Sequence, residues 1–162
     1  MDTLDDVLIA LRRIIRATDL HSKYLIKTTS LTASQILILQ KIRDKMQITI
    51  GELSNDVSLS QATVTTVLDR LEKRNLVYRE RSTNDKRKVH AFLTDSGVEI
   101  LKKAPKPLQF EFSRQFKDLK KWEQTMLLTS LQRIAQMMDA QHIDASPVLD
   151  VGFLDKKDDQ VN

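Results

Sequence analysis

The sequence predicts a mainly α-helical fold of the α+β class, with long amphipathic helices at both ends and one small antiparallel hairpin in the middle. Three observations carry that prediction. Between Leu4 and Met138, apolar residues recur at the spacing that a 3.6-residue period places on one helix face. Only over residues 78–93 does that period give way to two strand-like runs around a polar turn. With three glycines and three prolines in 162 residues, there is little room for linkers or low-complexity tracts.

Residues 1–28 carry Leu4, Val7, Leu8, Leu11, Ile14, Ile15 and Thr18 along one stripe, which predicts a helix of about six or seven turns. So long a first helix exceeds what a small domain needs for its own core, although part of the stripe packs there. A second helix spans residues 31–45: Thr32 is its N-cap, Gln35 sits at N3 as capping-box partner, and Ile36, Leu39 and Ile42 face inward. Thr49 and Ile50 suit a short strand. Residues 51–57 then form a short helix burying Leu53 and Val57, and Ser58 with Leu59 makes a turn in which Leu59 plugs the angle to the next helix.

That next helix reads SQATVTTVLDRLEKRN, with Ser60 as N-cap. Val64, Val67, Leu68 and Leu71 share its inner face, while Gln61, Ala62, Thr65, Thr66, Asp69, Arg70 and Lys73 face away. An ordinary solvated face favours Glu, Lys and Arg, whereas the first two turns here carry short side chains of low helix propensity. Short side chains let a helix settle deep into a groove. A glutamine can bond adenine at two positions, and Thr and Ala offer methyl groups to thymine. Taken alone, the helix also admits the lesser reading of a merely solvated amphipathic one.

The hairpin shifts that balance. Asn75 suits a left-handed stop. Leu76 and Val77 reopen an apolar run, and residues 78–81 and 89–93 read as strands, with Val89, Ala91 and Leu93 at period two. Ser, Thr, Asn and Asp make the turn between them, and Lys86, Arg87 and Lys88 charge its tip. From Ser60 to His90 there are eight bases (Arg70, Lys73, Arg74, Arg79, Arg81, Lys86, Arg87 and Lys88) against four acids (Asp69, Glu72, Glu80 and Asp85). The resulting +4 equals the net charge of the entire chain, +4. Charge gathered on one element fits a phosphate-binding footprint.

Thr94 caps a further helix through Ile100 and Leu101, which Pro105 and Pro107 must kink or break. Phe110, Phe112, Phe116 and Leu119 follow. Residues 122–141 then read as a helix with Leu127, Leu131, Ile134 and Met138 along one stripe. From Asp144 onward the chain holds five acids (Asp144, Asp150, Asp155, Asp158 and Asp159) and two bases (Lys156 and Lys157), and its end should fray. Val148, Leu149, Val151, Phe153 and Leu154 are too apolar for a free tail, so that part should dock. The expected division is residues 1–30, 31–104, 105–142 and an acidic, partly docked 143–162.

Chemistry by catalysis finds no support. His21, His90 and His142 lie far apart without metal-ligand spacing, no Gly-rich phosphate loop occurs, and no serine lies in a nucleophile elbow. His142, three residues after Asp139, is at most half a metal site, so neither metal nor cofactor is expected. Zero cysteines exclude disulfides, thiolate zinc sites and cysteine nucleophiles. No secretory leader and no membrane span are read, which makes the cytoplasm the expected location.

Residues 59–97 resemble the MarR family of winged helix-turn-helix regulators. The pattern is a D-R-L element (Asp69, Arg70, Leu71), an aliphatic pair (Leu76, Val77), a D-x-R wing tip (Asp85, Arg87) and L-T-x-x-G (Leu93, Thr94, Gly97). The resemblance implies a homodimeric repressor of double-stranded DNA with dimerisation helices at both ends. Leu4, Val7, Leu8 and Leu11 would then meet Leu127, Leu131, Ile134 and Met138 across the dimer. Gln61, Thr65 and Thr66 would read bases, Ser60, Thr63, Arg70 and Arg74 would hold phosphates alongside Lys86 and Lys88, and Arg87, braced by Asp85, would enter the minor groove.

The resemblance further implies a small-molecule effector pocket between the dimer stem and the DNA-binding lobes. By position it would comprise Thr18, His21, Ser22, Tyr24, Leu25, Gln35, Ile36 and Leu39, closed by Phe110 or Phe112. The runs SLSQATVTTVLDRLEKR and WEQTMLLTSLQRIAQMMDAQHIDASPVL are similar to the branch governing ectoine and other compatible-solute genes under osmotic stress. A quaternary ammonium solute would then be the effector, attracted by the faces of Tyr24, Phe110, Phe112, Phe116 or Trp122. The competing class is a winged-helix protein-interaction module that binds no nucleic acid.

Overall fold

Ten elements succeed one another along residues 2–150, the span that the computed structural model describes. They are α1 (Thr3–Thr29), α2 (Ala33–Lys45), β1 (Ile48–Thr49), α3 (Ile50–Val57), α4 (Gln61–Lys73), β2 (Val77–Arg81), β3 (Val89–Leu93), α5 (Asp95–Lys103), α6 (Gln109–Asp118) and α7 (Lys121–Met137). Local chemistry sets many of these boundaries. Thr32 and Gln35 close the expected capping box on α2, and Thr49 with Glu52 closes a second one on α3. Because Thr49 is thereby an N-cap, the short strand is Ile48–Thr49, and Ile50 opens the helix instead of extending the strand. Ser60 caps α4, Thr94 caps α5, and Asn75 takes the left-handed conformation at φ 57° just beyond α4.

The three strands form an antiparallel sheet in the order β1-β3-β2, with Ile48 opposite Ala91 and Val77 opposite Leu93. Against it α2, α3 and α4 bury one core in which Leu31, Ile38, Leu39, Ile48, Leu53, Val57, Val64, Leu68, Leu71 and Ala91 are wholly enclosed. Gly97 lets α5 pass close to this lobe: a Cβ there would lie 2.2 Å from the Leu76 carbonyl oxygen, so no larger residue fits without moving backbone.

The stripe on α1 is continuous, but its surroundings change. Thr18, Ser22, Leu25 and Thr29 are buried against the lobe, whereas Leu4, Val7, Leu8, Ile14 and Ile15 are exposed. The two prolines do break the chain: α5 stops at Lys103 and α6 starts at Gln109. Gln124 Nε2 donates to the carbonyls of Phe116 (3.0 Å) and Leu119 (3.2 Å), turning the corner into α7. That helix ends at Met137, short of the expected Gln141, because Asp139 adopts φ 53° and the Ala140 N–H bonds back to the Ala135 carbonyl at 2.8 Å. Met138 is therefore its C-cap. Neither α6 nor α7 contains a buried residue. Residues 143–150 fold back onto the lobe, where Val148 packs against the core. Val151, Phe153, Leu154 and the acids and bases from Asp155 to Asp159 lie outside the described residues.

Candidate nucleic-acid interface

The short helix α3 and the helix α4 are joined by a tight turn in which Ser58 is left-handed (φ 54°, ψ 38°) and Leu59 is buried. Ser54 Oγ donates to the Leu59 carbonyl at 2.6 Å, locking the corner from inside. With Val64, Val67, Leu68 and Leu71 buried, α4 can present only its polar side outward. Its start is ordered by Ser60 Oγ, which accepts from the Thr63 N–H at 3.1 Å. Thr66 Oγ1 donates to the Ala62 carbonyl (3.0 Å), so its hydroxyl is already engaged.

Between α4 and the hairpin lies an open cleft of about 340 Å³ lined by Thr49, Ile50, Gly51, Gln61, Thr65, Arg87, Lys88 and Val89. Four residues of the expected reading set, Gln61, Thr65, Arg87 and Lys88, thus share one concave surface. At the wing tip the Ser82 N–H bonds to the Lys88 carbonyl (2.9 Å), and Asp85 Oδ1 accepts from the Arg87 N–H (3.1 Å) and Arg87 Nε (3.4 Å). The Arg87 side chain remains 93% exposed. Lys86 and Lys88 are exposed as well.

Two arginines behave differently from their sequence assignments. Arg74 donates to the carbonyls of Ser30 (2.7 Å) and Thr29 (3.5 Å), so it is tied to the C-terminus of α1 and not extended towards a phosphate. Carbonyls left over at a helix end attract a nearby guanidinium. Arg79, on β2, bonds Asp69 at 2.6 Å and also pairs with Glu72. Burial alone would lower its pKa, but hydrogen bonds to Glu72 and Asp69 prevail and raise it. This clasp fastens the hairpin to α4 and engages two of the four acids in the segment.

The expected effector set is only partly assembled. His21, Leu25 and Ile36 meet Ala33, Leu37, Gln40, Pro105, Pro107, Gln109 and Val148 around a crevice with about 10 Å³ of free space. His21 Nε2 and Gln109 Oε1 are buried there without hydrogen-bond partners. Thr18 instead donates to the Ile14 carbonyl, Ser22 donates to Asp150, Gln35 serves its capping box, and Leu39 is enclosed in the core. Tyr24, Phe110 and Phe112 are exposed. Gln109, not Phe110 or Phe112, closes the far side, because α6 begins at Gln109 and successive helical residues point about 100° apart.

The sequence profile of the MarR family matches residues 31–89. The regulator SarZ of Staphylococcus haemolyticus is 31% identical over 111 residues, covering 68% of this chain and 74% of the relative. The chain belongs to the MarR family. Its relatives are helix-turn-helix transcriptional regulators and not enzymes. Among solved structures, a mutant of Escherichia coli MarR complexed with operator DNA is 27% identical, with a TM-score of 0.53 over 83% of this chain and 99% of that one. BpsR of Bordetella bronchiseptica, described with regulation of its DNA binding by 6-hydroxynicotinic acid, is 25% identical, with a TM-score of 0.51 over 80% and 98% of the two chains. No helix among the described residues of this MarR protein is long and apolar enough to cross a membrane.

Sequence reasoning missed three contacts. The engagements of Arg74 and Arg79 depend on surfaces that come together only after folding. The third is Asp144, whose carboxylate Oδ2 accepts from Thr63 Oγ1 (3.2 Å) and the Ser60 N–H (3.5 Å) at the start of α4. Eighty-odd residues separate these partners, and no local pattern announces the contact.

Proposed function

We propose that two copies of this chain bind a pseudo-palindromic operator as a transcriptional repressor, and that a small molecule relieves the binding. The observation that carries the reading is the cleft that gathers Gln61, Thr65, Arg87 and Lys88 between α4 and the hairpin. In it Gln61 and Thr65 lie where α4 would meet base edges in a major groove, and Arg87 stands out on the hairpin towards the flanking minor groove. Ser60, Thr63, Arg70, Lys86 and Lys88 hold phosphates, while Arg74 serves the fold. That the E. coli relative was solved with operator DNA supports duplex DNA as the partner.

The second copy is supported by the apolar residues left on the stem: Leu4, Val7 and Leu8 on α1, and Leu127 and Leu131 on α7, all exposed. Two reading helices must reach grooves about 34–36 Å apart, which a single copy cannot do. Titrating a labelled duplex at low and moderate salt tests the reading. Affinity should fall steeply with salt; flat, negligible binding would mark the chain as a protein-interaction module instead.

For the effector we assign the crevice with unpartnered His21 Nε2 and Gln109 Oε1; its free space of about 10 Å³ holds no more than a water, so it must open to admit a ligand that completes those atoms. The small-molecule control of BpsR supports an effector of some kind. Compatible-solute control, with a quaternary ammonium effector, rests on the resemblance of residues 58–74 and 122–149 to that branch. Lys106 Nζ already stands 5.0 Å from the Phe110 ring centroid, where such a cation would compete with it. Calorimetry with millimolar betaine or ectoine decides: no heat and unchanged DNA affinity would remove those solutes.

A further inference from the structure

Past α7 the chain turns back along the lobe and is held at four places. Val148 packs on the core, Ser146 Oγ lies 3.0 Å from Ser34 Oγ, Ser22 Oγ donates to Asp150 Oδ1 at 2.8 Å, and Asp144 Oδ2 meets Ser60 and Thr63 at 3.5 and 3.2 Å. The last contact is not needed to cap α4, because Ser60 Oγ already takes the Thr63 N–H. What Asp144 adds is a negative charge at the positive end of the helix, on one hydroxyl and one backbone N–H, both donors of the kind that bind a phosphate oxygen.

We propose that residues 143–150 are an autoinhibitory strap, in which the Asp144 carboxylate stands in for a DNA phosphate at the start of α4 and must lift before DNA can take those donors. The inference rests on the DNA-binding reading above. A carboxylate and a phosphate cannot share the same two donors, and two anions in contact would repel each other. Because the carboxylate is tethered in place by Val148, Ser146 and Asp150, it competes at an effective concentration far above that of any free acid. The strap therefore weakens binding without touching a base. It lowers affinity for all sequences alike, because the donors it occupies are ones that meet phosphates and carry no sequence information.

The test compares the full chain with Asp144→Asn, Asp139→Asn and a chain ending at residue 142, each titrated with a labelled duplex of mixed sequence at fixed salt. Relieving one such charge contact should tighten binding about three-fold per reading helix, or about tenfold for a dimer. Asp144→Asn should show that gain, the shortened chain should match or exceed it, and Asp139→Asn, which removes the same charge from a carboxylate bonded to Gln141 and not to Ser60 or Thr63, should stay near the parent. Thermal melting of each variant identifies any loss of fold. Equal affinities for parent and Asp144→Asn, or an equal gain in Asp139→Asn, would overturn the strap while leaving DNA binding intact. Absence of salt-dependent binding in every variant would remove the DNA-binding reading and the strap with it.

Discussion

Helices α4 and α7 carry the same kind of apolar stripe and meet opposite fates. On α4, Val64, Val67, Leu68 and Leu71 are 0–2% exposed; on α7 and its C-cap, Leu127, Leu131 and Met138 are 39%, 52% and 64% exposed, and of that stripe only Ile134 is half-buried. Periodicity therefore states that a face will be covered, and is silent about which molecule covers it. The lobe satisfies its stripes internally, through the sheet and its neighbouring helices. On α1, α6 and α7 much of the stripe is left uncovered within one chain, which is why we assign it to the proposed second copy, and the α1 stripe crosses from one regime to the other at Thr18.

Substitutions on the two stripes should separate these regimes. The largest effect is expected from Leu68→Ala, which should cost about 2–5 kcal/mol in denaturant unfolding, independent of protein concentration. Leu131→Asp should leave lobe stability nearly unchanged but convert a two-subunit species into a one-subunit species by sedimentation. The single tryptophan, Trp122, is 62% exposed on the stem, so its emission should shift to the red on that dissociation. If Leu131→Asp sediments like its parent, the contrast between lobe and stem loses its explanation.

Two smaller effects probe the lobe's outer surface. Arg87→Ala should weaken DNA binding and flatten the logarithmic salt dependence by about one unit, since each neutralised phosphate contributes about −0.9 to that slope; parallel lines for parent and variant would dismiss the contact. Smaller still is the pH effect at the start of α3. The backbone hydrogen bond from Thr49, followed by its side-chain bond, holds Glu52 below its ordinary 4.5. Its contribution is thus complete above about pH 4.5 and disappears as pH falls through the lowered value. Glu52→Gln should melt earlier than the parent at neutral pH, with the gap closing in acid.

Much of the lobe was legible in the sequence because its signals are local. Thr32 with Gln35, Ser60, Asn75, Thr94 and the prolines each act within a few residues, and their effects appear where expected. The end of α7 was not legible: the stripe runs on to Met138, and nothing beside Asp139 announces a left-handed turn. Assignments that depend on which surfaces come together were the least accessible. Arg74 reads as one more cation until the C-terminus of α1 arrives beside it, and Phe110 reads as a pocket wall until the helix start turns Gln109 inward.

The break at Pro105 and Pro107 has a mechanical result. Residues 104–108 lie between the two helices, so α5 and α6 do not form one continuous lever. In the crook of this joint the two prolines meet His21, Leu25 and Ile36. On the effector reading proposed above, a guest that opened this crook would act as a shim, changing the splay of the reading heads at the joint and not within a helix.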